Sequence, residues 1–163
     1  MEGASQSAVG PYRHTQIGYA TLIGTGAALI TQIGNATRDL RKHRRRAWIS
    51  VPMAFVMVGI LALFSSLRVE VDGERVTASF AGGLLPRHVA LAEIKDAKVV
   101  TIPWRYGWGI RRTPRGWLYN VWGRRAVELT LAEERTFTIG SDQPEALLAA
   151  IDAARGQAEP AAA

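Results

Sequence analysis

The sequence predicts an α+β fold in which two N-terminal transmembrane helices precede a barrel of about seven strands that is closed by a C-terminal helix. Three observations lead to this prediction. Two long stretches without a charge occupy the N-terminal part, a strongly basic run separates them, and short β-prone segments divided by turns follow. We therefore expect a tail over 1–14, a transmembrane helical hairpin over 15–67, a compact domain over 68–155 and a disordered tail over 156–163.

The segment from Ala47 to Leu67 has the strongest membrane character. It holds 21 residues without a charge and is bounded by Arg46 and Arg68. At about 1.5 Å per residue, a helix of this length measures roughly 30 Å, which is the thickness of the hydrocarbon core of a bilayer. Pro52 falls in the first turn of that helix, where proline costs little. A buried helix of a soluble protein is the alternative.

The earlier uncharged stretch, from Thr15 to Thr37, is less apolar. Threonine, glutamine, asparagine and glycine residues dilute it, so its insertion into a bilayer needs a partner helix. Ala20, Gly24 and Ala28 recur every four residues and form a seam of small side chains along which the 47–67 helix can approach closely. A segment lying on the membrane surface is the alternative.

The run RDLRKHRRR lies between the two stretches and contains a single acid, Asp39. The positive-inside rule places such a loop in the cytoplasm, and the domain after Leu67 then lies on the extracytoplasmic side of the cell membrane. We interpret the basic residues as a topology determinant, and binding of anionic lipid headgroups is the alternative. These residues are Arg38, Arg41, Lys42, Arg44, Arg45 and Arg46.

Beyond the predicted hairpin, apolar and polar residues alternate in short segments. LRVEV and RVTASF flank Asp72-Gly73 and predict a β-hairpin. RHVAL, AKVVTI, GWLYNV, AVELTL and RTFTI supply further strands, whereas the piece from Gly109 to Arg112 is less regular. In SDQPEALLAAIDAA, Ser141 or Asp142 can cap a helix with an apolar face. About seven short strands closed by this helix make a small barrel or sandwich.

In these segments the chain resembles bacterial membrane proteins that carry a pleckstrin-homology-like domain behind a transmembrane helical hairpin. The resemblance rests on FSSLRVEVDGERVTASFAGG, ALAEI, YGWGIRRTPRGWLYNVWGRRAVEL and FTIGSDQPEALLAAI in that order, and it covers about Phe64 to Ile151. It implies a pleckstrin-homology-like barrel, no catalytic residues and no cofactor. It supplies no ligand, because a shared fold does not fix what a domain binds.

The most unusual chemistry of the domain lies in the segment from Trp104 to Arg125. No acid occurs between Asp96 and Glu128, and tryptophans alternate with arginines. Arginine forks fit phosphate and tryptophan suits the headgroup level of a bilayer, so the segment is a candidate surface for an anionic lipid or a partner. The alternative is that its rings pack in the domain while its arginines are solvated or pair with acids such as Glu128. The candidate residues are Trp104, Arg105, Trp108, Arg111, Arg112, Arg115, Trp122, Arg124 and Arg125.

The composition argues against an enzyme. The chain has no cysteine, and its three histidines, His14, His43 and His88, lack the spacing of a metal site, so we predict no catalytic residue, metal or cofactor.

The predicted function is a membrane-anchored, non-catalytic scaffold or interaction module. Its expected partners are the lipid bilayer and a protein partner or a second copy of the chain, without nucleic acid. Binding of anionic lipid headgroups through residues 104–125 is the alternative function.

Overall fold

Nine strands and three α-helices make up most of residues 11–42 and 44–158, which this computed structural model describes. The helices are α1 (Tyr19–Lys42), α2 (Arg44–Leu63) and α3 (Pro144–Ala158). The first strands are β1 (Tyr12–Ile17), β2 (Ser66–Val71), β3 (Arg75–Phe80) and β4 (Leu84–Ala90). The others are β5 (Ile94–Thr101), β6 (Gly109–Thr113), β7 (Gly116–Asn120), β8 (Arg125–Leu131) and β9 (Thr136–Gly140).

The strands form two sheets that share one apolar core. The first sheet is antiparallel and has the order β1-β2-β3-β4. The second sheet has the order β5-β8-β9-β7-β6, and only its β7 and β9 are parallel. Side chains from both sheets and from α3 meet in the core, and Phe80, Phe137, Leu147 and Ile151 are fully buried there. Helix α3 therefore covers apolar residues that the two sheets alone would leave exposed.

The local predictions for the domain are confirmed in two places. Strands β2 and β3 pair as an antiparallel hairpin, and the Asp72 carboxylate accepts hydrogen bonds from the backbone N–H groups of Glu74 and Arg75 at 2.9 and 2.8 Å. These bonds, led by that of Glu74, hold the pKa of Asp72 below its ordinary value. The predicted closing helix is α3, but Ser141 is not its cap. Its hydroxyl accepts a hydrogen bond from the backbone N–H of Gln143 at 3.0 Å, and Gln143 is itself the residue before the helix, since its carbonyl oxygen accepts from the Leu147 N–H.

The prediction of a closed barrel of about seven strands is wrong, because the nine described strands form two separate sheets. The change of sheet occurs at the 3₁₀ turn Leu91–Glu93, which connects β4 to β5. Although these strands follow each other in the chain, each lies at the edge of its own sheet and they do not pair. The irregular piece near Gly109 is a strand, β6, at the other edge of the second sheet.

The prediction of a transmembrane hairpin over 15–67 is also wrong. Within the described part of the chain, every helix is too short or too polar to cross a membrane. The reason lies in the element boundaries, since Thr15 belongs to β1, Leu67 is fully buried in β2, and α2 starts with arginines at Arg44. The uncharged part of α2, residues 47–63, measures about 25 Å, which is less than the roughly 30 Å of a bilayer core.

The predicted localisation falls with the predicted spans. A multi-pass protein of the cell membrane, with a cytoplasmic basic loop and an extracytoplasmic domain, requires two crossing helices that the described residues do not provide. The basic run instead occupies the end of α1 and the beginning of α2, with residue 43 outside the described residues. Of the predicted tails, residues 1–10 and 159–163 lie outside the description, and α3 extends to Ala158.

Helices α1 and α2 form a hairpin that is inserted between two paired strands. They pack against each other, and β1 and β2 pair immediately before and after them. The backbone N–H of Gly18 donates to the Ser65 carbonyl oxygen at 2.7 Å, which joins the two ends of the hairpin. A side chain on Gly18 would lie only 3.2 Å from the carbonyl oxygens of Phe64 and Val121. Glycine thus permits the close approach of the hairpin to the second sheet.

The close pairing of β7 and β9 leads to a stability prediction. A Cβ atom on Gly116 would overlap the Thr136 carbonyl group, whereas one on Gly156, in α3, would meet nothing within 4 Å. Gly116→Ala should therefore lower the free energy of unfolding by about 3 kcal/mol, because β7 must move away from its parallel neighbour. Gly156→Ala should raise it slightly, by at most about 1 kcal/mol. Urea denaturation of both variants measures the difference, and similar values for the two would contradict this packing.

Candidate functional site

The segment predicted as a binding surface forms one end of the second sheet and the loops beside it. It begins in the 3₁₀ turn Trp104–Tyr106, continues through β6 and β7, and ends at the start of β8. In the strand register Arg111 pairs with Leu118 and Arg112 pairs with Trp117. Because successive residues of a strand face opposite sides, Arg111 and Arg112 lie on different faces of the sheet. The structure therefore divides the predicted surface between two faces.

The arginines of this segment have different surroundings. Arg125 forms an ion pair with Glu145, whose pKa is lowered first by a backbone hydrogen bond at the start of α3 and then by this arginine. The Arg124 Nε–H donates to the Ile102 carbonyl oxygen at 3.4 Å. Arg105 lies with its guanidinium 5.1 Å from the centre of the Tyr106 ring. Part of the predicted surface is therefore engaged in contacts within the chain.

Three other arginines of the segment remain without an acidic partner. Arg111, Arg112 and Arg115 form no ion pair with any acid in the described part of the chain. Glu128 is not their partner as the alternative interpretation of this segment expects, because its carboxylate lies 3.5 Å from the Lys98 ammonium. The unpaired arginines thus leave an excess of positive charge at this end of the second sheet.

The tryptophans divide into packed and exposed rings. Trp108 and Trp122 pack on each other, with 5.6 Å between their ring centres. Trp117 has the Arg87 guanidinium 5.8 Å from its ring centre. Trp104 is 84% exposed, so it is the ring of this segment that is most available to another molecule.

Asn120 is a structural residue of this region that the sequence analysis did not select. It is fully buried at the end of β7, its side-chain amide donates to the Gly123 carbonyl oxygen at 3.2 Å, and its side-chain oxygen accepts from the Trp122 N–H at 3.2 Å. A Cβ atom on Gly140 of the neighbouring β9 would overlap that oxygen. Asn120 therefore fixes the loop that carries Trp122. The only signal in the sequence is a lone asparagine at the end of the apolar strand GWLYNV.

A cavity of about 520 Å³ lies on the face of the second sheet that carries Leu118, and we call this face the outer face. Of the predicted surface residues, only Arg105 and Arg115 line it. Lys98, Glu128 and several threonines complete the polar part of its wall. The cavity thus collects charged residues that are far apart in the sequence.

A second candidate surface is apolar and lies on the helical hairpin. Gly24 of the predicted small-residue seam is exposed, and a Cβ atom on it would contact nothing outside its own helix within 4 Å, so the seam does not bring α2 close at this point. Large apolar side chains are exposed on both helices instead. On α1 they are Tyr19, Ile23, Ile30, Ile33 and Leu40, and on α2 they are Trp48, Ile49, Met53, Phe55, Val56, Val58 and Ile60.

The arrangement of Asn120 gives a prediction about the loop structure. Asn120→Ala removes the partners of the Trp122 N–H and the Gly123 carbonyl oxygen, so the free energy of unfolding should fall by about 2–3 kcal/mol. The near-ultraviolet circular dichroism of the Trp108–Trp122 pair should weaken as well. The control Asn35→Ala, at an exposed position of α1, should change stability by less than about 1 kcal/mol and leave that signal intact. Unchanged dichroism in Asn120→Ala would contradict the assigned role.

Comparisons with known proteins identify no relative of this chain. No family model matches it, and neither does any curated protein or solved structure. The resemblance to membrane proteins with a pleckstrin-homology-like domain therefore stays a prediction. In the described part of the chain, no group of three or more histidine, cysteine or acidic side chains is placed to hold a metal ion.

Proposed function

We propose that this protein is a non-catalytic assembly module whose helical hairpin associates with the hairpin of a second copy. The observation that carries the proposal is the stripe of exposed apolar residues on α1, formed by Ile23, Ile30, Ile33 and Leu40. Large exposed apolar surfaces commonly mark sites of association, because their burial removes apolar area from water. The interaction would make the chain a scaffold or interaction module.

The spacing of the α1 stripe suits another helix. Its four residues follow at intervals of seven, three and seven, which are the a and d positions of a heptad repeat. Such positions share one face of a helix, and the stripe extends over about 25 Å from Ile23 to Leu40. Ile23 and Ile30 are 73% and 74% exposed, so the contacts within one chain leave most of their surface open.

The free energy available from this surface is of the order that association requires. Full burial of one fully exposed large aliphatic side chain contributes about 1.5–3 kcal/mol. A symmetric pair of stripes contains eight such side chains, which are 50–74% exposed in the single chain and so contribute correspondingly less each. Loss of translational and rotational freedom costs about 4–15 kcal/mol. Trp48 and Phe55, seven residues apart on α2 and both exposed, add further apolar area to the hairpin.

Two features favour a second copy as the partner. In a twofold-symmetric pair the same stripe occurs on both sides, so one sequence pattern supplies both surfaces. The basic residues are concentrated where the helices meet, at 38–46, and Asp39 is the only acid there. Like charges repel, so we expect the two hairpins to pack with these ends pointing in opposite directions. A bilayer is a less suitable partner for α1, because polar residues such as Thr31 and Asn35 are exposed beside the stripe.

The proposal predicts that charges in the stripe abolish association. The double variant Ile30→Glu and Ile33→Glu should raise the dissociation constant of the dimer by about 100-fold or more, which corresponds to ~2.7 kcal/mol. The matched control, Thr31→Glu with Asn35→Glu, adds the same charge at exposed polar positions of α1 and should leave the dimer intact. Light scattering during size-exclusion chromatography of the full chain measures the mass of each species.

Three results would contradict the proposal. One is a wild-type chain that stays monomeric at about 100 µM, where even a weak dimer is populated. Another is equal dissociation of the stripe variant and its control. The third is a monomer that binds phosphatidylcholine vesicles through residues 23–40, because the occupant of the stripe would then be lipid.

A further inference from the structure

We propose that the cavity on the outer face of the second sheet binds the phosphate group of a small organic phosphate ester. The proposal is independent of the association of the hairpin, since it rests on different residues. The cavity volume of about 520 Å³ lies within the range of about 300–1,000 Å³ that is usual for small-molecule sites. The proposed association of the hairpin does not use this cavity.

The pairing of four strands places residues of the cavity wall next to each other. Lys98 on β5 pairs with Glu128 on β8, which pairs with Thr138 on β9, and Thr138 pairs with Leu118 on β7. These four residues form one row across the sheet, and all of them line the cavity. Because the row belongs to hydrogen-bonded strands, the sheet sets the backbone positions from which these side chains extend.

The charges around the cavity favour a dianion. Lys98, Arg105 and Arg115 are its cations and Glu128 is its acid, which leaves an excess of two positive charges. Lys98 is paired with Glu128 at 3.5 Å, whereas Arg105 and Arg115 have no carboxylate partner in the described part of the chain. A phosphate monoester carries a charge of about −1.5 to −2 at pH 7, so it balances this excess better than a single carboxylate does.

The chemistry of the donors that line the cavity also suits phosphate. Arg115 lies in the turn between β6 and β7, and Arg105 lies in the 3₁₀ turn Trp104–Tyr106. Arginine can present two N–H groups to two phosphate oxygens at once. The hydroxyl groups of Thr136 and Thr138, which belong to the same wall, supply further donors for the remaining oxygens.

An apolar part of the wall points to an ester instead of inorganic phosphate. Leu118 and Ile102 line the cavity and are almost fully buried, and Val100 lies with them. A ligand that carries a small apolar or aromatic group can contact the partly buried Val100 side chain while its phosphate contacts the arginines. A phosphate monoester group occurs both in soluble phosphate esters and in the headgroup of a lipid phosphomonoester.

Isothermal titration calorimetry of the full chain tests the proposal with phenyl phosphate, benzoate and inorganic phosphate. Phenyl phosphate should bind about tenfold or more tightly than either of the others, since only it offers both the dianion and the ring. Arg115→Gln should weaken this binding by about tenfold or more. The control Arg75→Gln removes the same charge from an exposed position of the first sheet and should change it by less than about twofold.

A second variant keeps the test decisive if Arg115→Gln fails to fold. Thr138→Val retains the branched shape of a strand residue and removes one hydroxyl group, so it should weaken phenyl phosphate binding by about threefold to tenfold. Thermal unfolding of each variant establishes that it is folded. Absence of phenyl phosphate binding to the wild-type chain would overturn the proposal, and so would equal weakening by Arg115→Gln and Arg75→Gln.

Vesicles distinguish the two sources of the phosphate group. Phosphatidylcholine vesicles that contain phosphatidic acid should bind the chain, and phenyl phosphate should displace it, if a lipid phosphomonoester is the ligand. Binding of phenyl phosphate without any binding to these vesicles assigns a soluble ester. Vesicle binding that Arg115→Gln leaves unchanged would show that the vesicles contact another surface and would overturn the lipid assignment.

Discussion

The antiparallel pairing of β1 with β2 holds the helical hairpin in the domain. It joins six residue pairs, from Tyr12 with Val71 to Ile17 with Ser66, across the entire helical hairpin. The hydrogen bond from the Gly18 N–H to the Ser65 carbonyl oxygen continues this pairing to the base of α1 and α2. Gln16 is buried and its amide donates to the Trp122 carbonyl oxygen at 2.9 Å, which connects β1 to the second sheet. Both ends of the hairpin are therefore held by the domain.

The two proposed surfaces use different kinds of interaction. The stripe on α1 offers apolar area, whose burial is favourable but not directional, so heptad spacing and the symmetry of a pair must supply the specificity. The cavity offers Arg115, Arg105 and hydroxyl groups, whose hydrogen bonds depend on the position of each phosphate oxygen. Higher ionic strength should weaken the second interaction far more than the first, because charge attracts the ligand in the second, whereas in the first it acts only as repulsion between the basic ends of the hairpins.

Elements that depend on residues close together in the chain could be predicted from the sequence. The hairpin at Asp72-Gly73 and the presence of the closing helix α3 are examples, and both predictions are confirmed. Strand β1 could not be predicted in this way, because its partner β2 follows only after two helices. The uncharged segment from Thr15 to Thr37 also gives no sign that a strand ends and a helix begins within it. Leu67 shows the same difficulty, since the apolar run 47–67 does not reveal that its last residue is buried between the sheets. Phe64, whose ring lies 5.2 Å from that of Phe80, is partly buried and packs against the same core.

The candidate site was predictable only in part, for a related reason. Arginine enrichment selected Arg105 and Arg115, but only strand register brings Lys98, Glu128 and Thr138 beside them. Composition also cannot separate Arg111 from Arg112, whose side chains leave opposite faces of β6. The unpaired charge at this end of the sheet was thus expected, while the cavity depends on the parallel pairing of β7 with β9.

Disulfide trapping tests the β1–β2 register most directly, and the absence of native cysteine makes the experiment simple. Thr15 pairs with Arg68, and cysteines at directly opposed positions are close enough to form a disulfide. We expect rapid oxidation of the double variant Thr15→Cys and Arg68→Cys. The double variant Thr15→Cys and Glu70→Cys should oxidise slowly, because Glu70 lies diagonally across from Thr15, two residues beyond its direct partner. Failure of the first pair to oxidise, or equal rates for both pairs, would contradict the pairing that holds the hairpin in the domain.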